Sequence, residues 1–126
     1  MVKSILIVED NLSHIELLED LFRSHGYSTL SVMSGENALN IMRNNPPDLV
    51  LMDIRLPGMD GYTITRKIKS DPQTKNIPVI AVTALALKGD RQKALQAGCD
   101  EYMSKPIDTH EIITIVEKFI GPSNAQ

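Results

Sequence analysis

The sequence predicts an α/β fold: five strand–helix units, (βα)5, forming a doubly wound parallel five-stranded sheet. Three observations predict it. Short apolar runs at 5–8, 29–32, 49–52, 79–82 and 99–103 alternate with longer amphipathic stretches, the pattern of a parallel sheet with helical crossovers. The middle runs, such as Leu49-Val50-Leu51-Met52, are near-continuous in apolar residues, as expected of strands covered on both faces. The connections are short, which suits crossovers of one hand within one sheet.

Each helical stretch carries its own start and stop. Ser13 and Glu16 have capping-box spacing ahead of Leu17-Leu18, with Leu21-Phe22 one turn on and Gly26 at the close. Ser34 caps a second helix bearing Ala38, Leu39, Ile41 and Met42, and Pro46-Pro47 stops it. Asp60 caps a third, with Ile64 and Ile68 on one face and Pro72 beyond its end. A fourth, shorter helix starts at or just before Asp90 and ends near Gly98. Asp108 and Glu111 open the fifth, whose inner stripe is Ile112, Ile115, Val116 and Phe119, ahead of Gly121-Pro122.

A chain of 126 residues makes one domain, and at that length roughly two-thirds of the unfolded surface is buried, enough for a core without disulfides. The expected domain spans 1–122, with 123–126 as a frayed tail, and the six residues after Ile120 leave no room for an output domain. The net charge of −3 includes no basic block, which argues against nucleic acid or an anionic membrane as the main partner. No apolar run approaches the ~20 residues of a membrane span, and the first run is too short for a signal-peptide core. Cys99 is the only cysteine. It excludes an internal disulfide, fits a cytoplasmic location, and reads as a small buried hydrophobe rather than a catalytic thiol.

The chemistry lies at the strand ends. Glu9 and Asp10 follow strand 1, Asp53 ends strand 3, Thr83 ends strand 4, and Lys105 follows strand 5. Each has an ordinary role when taken singly: a helix starter, a turn former, a β-branched strand residue, a solvated lysine. Together they share the carboxyl edge of one sheet, where such folds bind ligands. Three crowded carboxylates call for a divalent cation, and a hard ion such as Mg²⁺ takes oxygen ligands while keeping waters that a phosphate can replace. Two carboxylates can hold the ion while Asp53 serves as an oxygen nucleophile. The Thr83 hydroxyl and Lys105 ammonium can then hold phosphoryl oxygens as charge builds. His14, His25 and His110 are scattered and form no metal cluster by spacing; His14, close to the acid pair, can face a docking partner.

The chain resembles the response-regulator receiver domains of bacterial two-component signalling. The resemblance rests on Val8-Glu9-Asp10-Asn11, Leu51-Met52-Asp53-Ile54 with Pro57-Gly58-Met59-Asp60-Gly61, Val82-Thr83-Ala84, and Ser104-Lys105-Pro106, and covers about residues 3–120. It implies the flavodoxin-like strand order 2-1-3-4-5 and a single-domain regulator. In that family Asp53 would accept the phosphoryl group. Asp10 would bind Mg²⁺ (or Mn²⁺) directly, Glu9 mainly through water, and the Arg55 main-chain carbonyl would complete the protein ligands. Thr83 and Lys105 would contact the phosphoryl oxygens, and the Lys105–Pro106 bond would be cis. Tyr102 would turn inward as Thr83 moves toward the new acceptor, and Arg55 and Leu85 would tune the phosphoryl lifetime. The partners implied are a histidine kinase or histidine phosphotransfer protein near helix 1, and a target protein or second copy at the face of helix 4, strand 5 and helix 5. The implied molecule is a signalling switch rather than an enzyme, working as a phosphorelay shuttle or a diffusible regulator.

Three rivals are weaker. A phosphatase with an aspartyl nucleophile wants a second Asp two residues on, where this chain has Arg55, which cannot give up a proton. A flavin or nucleotide binder wants a phosphate-cradling loop after strand 1, where Glu9-Asp10 repel phosphate. An adaptor that works without phosphorylation would not need all five chemical positions filled.

Overall fold

The computed structural model describes residues 2–56, 58, 60–84 and 89–122. Among these, strands β1 (Ser4–Val8), β2 (Ser28–Val32), β3 (Leu49–Asp53), β4 (Val79–Thr83) and β5 (Glu101–Ser104) alternate with helices α1 (Leu12–Ser24), α2 (Gly35–Asn44), α3 (Gly61–Ser70), α4 (Asp90–Ala97) and α5 (Thr109–Ile120). All neighbouring strands are parallel, in the order β2-β1-β3-β4-β5. Leu85, Pro57, Met59 and the tail 123–126, all named in the sequence expectations, lie outside the described residues.

The continuous apolar runs have a simple cause. Side chains alternate faces along a strand, and here each face is covered. Leu6, Val8, Val50, Met52, Val79 and Ala81 point to one side, where they pack with Ala38 and Met42 of α2, Ile64 and Ile68 of α3, and Ala94 of α4. Ile5, Ile7, Leu49, Leu51, Ile80 and Val82 point to the other, against Leu18 and Phe22 of α1 and Ile112 and Val116 of α5. Two cores therefore sandwich the sheet, and β1, β3 and β4 are apolar at nearly every position because both alternating sets are buried.

Two expected boundaries move. α1 is capped by Asn11, whose side-chain oxygen accepts from the Ser13 and His14 N–H groups at 3.0 and 3.3 Å. The Ser13–Glu16 pair therefore lies inside the helix, and the capping box is not used. β5 begins at Glu101 rather than at 99. Cys99 is still tied to α4 through its N–H to the Ala94 carbonyl, and the Asp100 carboxylate receives the Val79 N–H at 2.8 Å and the Lys69 ammonium at 2.8 Å. Those two residues finish the helix and turn before the strand starts. The Asp60, Ser34 and Asp108 caps stand as the sequence indicates.

Gly61 fixes how α3 meets the end of β3. Its N–H donates to the Ile54 carbonyl at 2.9 Å. A Cβ there would sit 2.6 Å from the Asp53 carbonyl oxygen and 2.7 Å from the Ile54 Cα. Both are backbone atoms, so a side chain cannot be accommodated by a rotamer change.

Candidate functional site

The parity that builds the two cores also builds the site. Glu9 continues the face of Ile5 and Ile7, and Asp53 continues that of Leu49 and Leu51, toward α1 and α5. Because β1 and β3 pair in register from Ile5↔Leu49 to Val8↔Met52, the two carboxylates emerge side by side at the carboxyl edge. Both are buried, at 3 % and 6 % exposure. Asp10 is exposed beside them, and one carboxylate oxygen from each of Glu9, Asp10 and Asp53 lies within 4.8 Å of the others.

Lys105 reaches this cluster from the loop after β5. Its N–H donates to the Thr83 carbonyl at 2.8 Å, which ties that loop to the end of β4, and its bond to Pro106 is cis. The ammonium lies 2.6 Å from Glu9 Oε1 and 3.5 Å from Asp53 Oδ2. The backbone completes the carboxylate cage. Glu9 Oε2 accepts the Asp10 and Asn11 N–H groups at 3.0 and 3.1 Å, and Asp53 Oδ1 accepts the Arg55 N–H at 3.0 Å.

The two buried carboxyls titrate in opposite directions. Burial is the largest influence on Asp53 and pushes it up; the Arg55 N–H pulls it back, Glu9 pushes it up again through a shared hydrogen bond and its charge, and Lys105 opposes, leaving it at about 6. Burial also disfavours the charged form of Glu9. Hydrogen bonds from Lys105 and Asp53, the Lys105 charge and the Asn11 N–H outweigh it and hold Glu9 at about 2. Two like charges at this distance separate their titrations. Glu9 is the ion that pairs with Lys105, and Asp53 is the member that keeps the proton longer.

The donor set fits a hard divalent cation. It is all oxygen, carries up to three negative charges, and has one exposed member through which an ion can enter. Thr83, 2 % exposed, stands at the adjacent strand end, paired in register with Ser104. Tyr102 lies on the opposite face of β5 from Lys105, packed with the α2–α3–α4 core. Its hydroxyl is buried and has no hydrogen-bond partner among the described residues. The structure thus brings Glu9, Asp10, Asp53 and Lys105 together, sets Thr83 beside them and holds Tyr102 apart, while Arg55 contributes its N–H to the Asp53 carboxylate. Cys99 is buried against the Thr65 hydroxyl at 3.7 Å, and burial pushes its thiol up, which suits an inert core residue.

One contact was not legible in the residue spacing. His14 Nδ1 lies 3.2 Å from the Lys105 ammonium. The available signal was its place in the first turn of α1, since helical side chains lean toward the N-terminus, here over the acid pair.

The chain matches the response regulator receiver domain over residues 5–117. It belongs to that family. Its similarity to other receivers extends over nearly all of its length. It is 45% identical over 121 residues to the polar-differentiation response regulator DivK of Brucella ovis, covering 96% of this chain and 98% of that protein. Among solved structures, the receiver domain of the sensor histidine kinase PA1611 from Pseudomonas aeruginosa PAO1 superposes with a TM-score of 0.88 at 40% identity, covering 96% and 99% of the two chains; it carries a magnesium ion coordinated in its active-site cleft. The signal receiver domain of a signal transduction histidine kinase from Syntrophus aciditrophicus gives a TM-score of 0.87 at 33% identity, covering 94% and 89%. This receiver is thus a component of two-component signalling, with the flavodoxin-like strand order read in its sheet. No helix among the described residues is long and apolar enough to cross a membrane.

Proposed function

We propose that this receiver is a phosphorylation-dependent switch in which Asp53 takes a phosphoryl group from a phosphohistidine donor in a Mg²⁺-dependent reaction. The observation that carries this is the grouping of three carboxylates within 4.8 Å under a lysine ammonium. An Asp53 carboxylate oxygen attacks phosphorus in line, the donor's N–P bond breaks, and the leaving imidazole takes a proton as the acyl phosphate forms. The Arg55 N–H on Oδ1 fixes the carboxylate while Oδ2 faces Lys105. Lys105 and the Thr83 hydroxyl then offer donors to the new oxygens. Glu9, Asp10 and Asp53, with the Arg55 carbonyl, would hold Mg²⁺ or Mn²⁺, which when bound neutralises the phosphoryl oxygens.

Phosphorylation adds charge and acceptor oxygens at one strand end. Thr83 and Tyr102 share the α2–α3–α4 side of the sheet by strand alternation, and the Tyr102 hydroxyl has no hydrogen-bond partner among the described residues, so Thr83 displacement can be passed to Tyr102. The face of α4, β5 and α5 would then select a target protein or a second copy, or the phosphoryl group would pass on in a relay. An apolar groove lined by Leu17, Leu18, Leu21, Pro106 and Ile107 runs to His14 and Lys105 and suits docking of a histidine kinase or phosphotransfer protein. In this reading residues 1–122 act as the receiver, in the cytoplasm, as a switch rather than an enzyme with an external substrate. Arg55 and Leu85 tune the phosphoryl lifetime.

The test is intact mass after incubation with Mg²⁺ and acetyl phosphate or a phosphoramidate. The expected result is one phosphoryl adduct that requires Mg²⁺ and is absent from Asp53→Asn. A folded, Mg²⁺-binding protein that forms no adduct, with rapid turnover excluded by a beryllium fluoride mimic, would favour an adaptor that works without phosphorylation.

A further inference from the structure

Resting on that reading, we propose that His14 is a positioning residue for Lys105 that holds the ammonium in the orientation phosphoryl transfer requires. The ammonium has three N–H donors and no acceptor capacity. It meets three acceptors: Glu9 Oε1 at 2.6 Å, His14 Nδ1 at 3.2 Å and Asp53 Oδ2 at 3.5 Å. The lysine must donate, so Nδ1 accepts and the imidazole carries its proton on Nε2. The 3.5 Å approach of Nδ1 to Glu9 Oε1 is then not a hydrogen bond. It is the spacing of two acceptors that share one cation.

The three acceptors differ in what the reaction does to them. Glu9 and Asp53 belong to the carboxylate cluster that a cation would claim, and Asp53 is also the nucleophile. His14 belongs to neither group. It comes from α1, a different element, and is half exposed at 45%. The imidazole is therefore the one acceptor whose hold on the ammonium survives both cation binding and acyl phosphate formation. With one N–H anchored on His14, the other two remain aimed at the edge where Asp53 Oδ2 and its phosphoryl oxygens stand. Without that anchor the four-carbon stem is free to rotate the ammonium toward solvent, and Lys105 loses its preorganised place at the developing charge.

Asparagine places its side-chain oxygen where a histidine places Nδ1, so it can keep the bond; leucine cannot. The experiment compares wild type, His14→Asn and His14→Leu in single-turnover phosphorylation by acetyl phosphate at saturating Mg²⁺, with Mg²⁺ affinity measured separately. The expected result is a maximal rate about tenfold lower in His14→Leu, an unchanged half-saturating donor concentration, unchanged Mg²⁺ affinity, and rescue in His14→Asn. A second readout needs no phosphoryl transfer. Side-chain ¹⁵N shifts of His14 in the Mg²⁺-free protein at mildly alkaline pH are expected to show the Nε2–H tautomer with Nδ1 as an acceptor, and Lys105→Met is expected to remove that signature. Wild-type rates in His14→Leu, or an Nδ1–H tautomer, overturn the proposal while the receiver chemistry stands. A wild-type chain that takes no phosphoryl group overturns both.

Discussion

Asp53→Asn is expected to stabilise the Mg²⁺-free protein at neutral pH. The reason is the raised titration of the buried carboxyl, at about 6 in the folded protein against 3.8 when exposed. Between those values the unfolded chain gives up its proton first, so folding stability falls as pH rises, and above about 6 the full penalty applies. About two units at 1.36 kcal/mol each set a ceiling near 3 kcal/mol; the shared titration with Glu9 places the expected gain at about 1–3 kcal/mol. Asparagine keeps an oxygen for the Arg55 N–H and offers an amide donor to Glu9, as the protonated acid does. Unfolding entropy is about 0.26 kcal/mol/K for a domain of this length, so Tm should rise by about 4–11 °C at pH 7.5 in EDTA. As pH falls below 3.8, Asp53 becomes protonated in the unfolded as well as the folded state, and the difference should close. Thermal denaturation of the two proteins across this range decides it. An equal or lower Tm for the variant at pH 7.5 would refute the claim that Asp53 carries uncompensated charge.

Other perturbations test neighbouring parts of the argument. Gly61→Ala drives a methyl group into the Asp53 and Ile54 backbone and should cost about 2–3 kcal/mol, read as a Tm loss of about 10 °C. Asn11→Ala removes the side chain that caps α1 and should cost about 1 kcal/mol in denaturant unfolding without abolishing Mg²⁺ binding. Lys105→Met frees Glu9 from its 2.6 Å ion pair, so calorimetry at about pH 8 should show Mg²⁺ binding about threefold tighter or more, while phosphorylation slows.

The fold was legible because both alternating sets of strand residues are apolar, the pattern of strands covered on both faces, and because these short runs alternate with amphipathic helical stretches. The site was legible for a related reason: strand ends in a parallel sheet share an edge, so residues distant in sequence converge without long-range information. What escaped was set by competition among local groups. Ser13 and Glu16 have the spacing of a cap, yet Asn11, one residue outside the helix, accepts the Ser13 and His14 N–H groups and starts the helix earlier. Cys99 and Asp100 are spent finishing α4 and receiving Val79 and Lys69, which composition cannot show. The His14 contact of Lys105 was hidden too, because residue spacing does not show that the first turn of α1 meets the loop after β5; only the fold reveals that His14 joins Glu9 and Asp53 around the ammonium.

Below about pH 6 the two buried carboxyls and Lys105 are together close to neutral without a cation, and this has a measurable consequence. Glu9 is balanced by Lys105, and the second buried carboxyl holds its proton up to about pH 6. A divalent ion that binds both must therefore displace that proton and loosen the ammonium, so binding and proton release are linked. Below about pH 6 Mg²⁺ affinity should fall by about tenfold per pH unit, and above about pH 7 it should level off, because Asp53 is then already ionised. Calorimetry in buffers of different ionisation enthalpy should register about one proton released per Mg²⁺ at pH 5.5 and close to none at pH 8. Asp53→Asn, with no proton to lose at that position, should flatten the profile over this range. A wild-type affinity that is constant from pH 5 to 7 would show that the Asp53 proton is not what the cation displaces, and that Glu9 and Asp10 hold the ion without it.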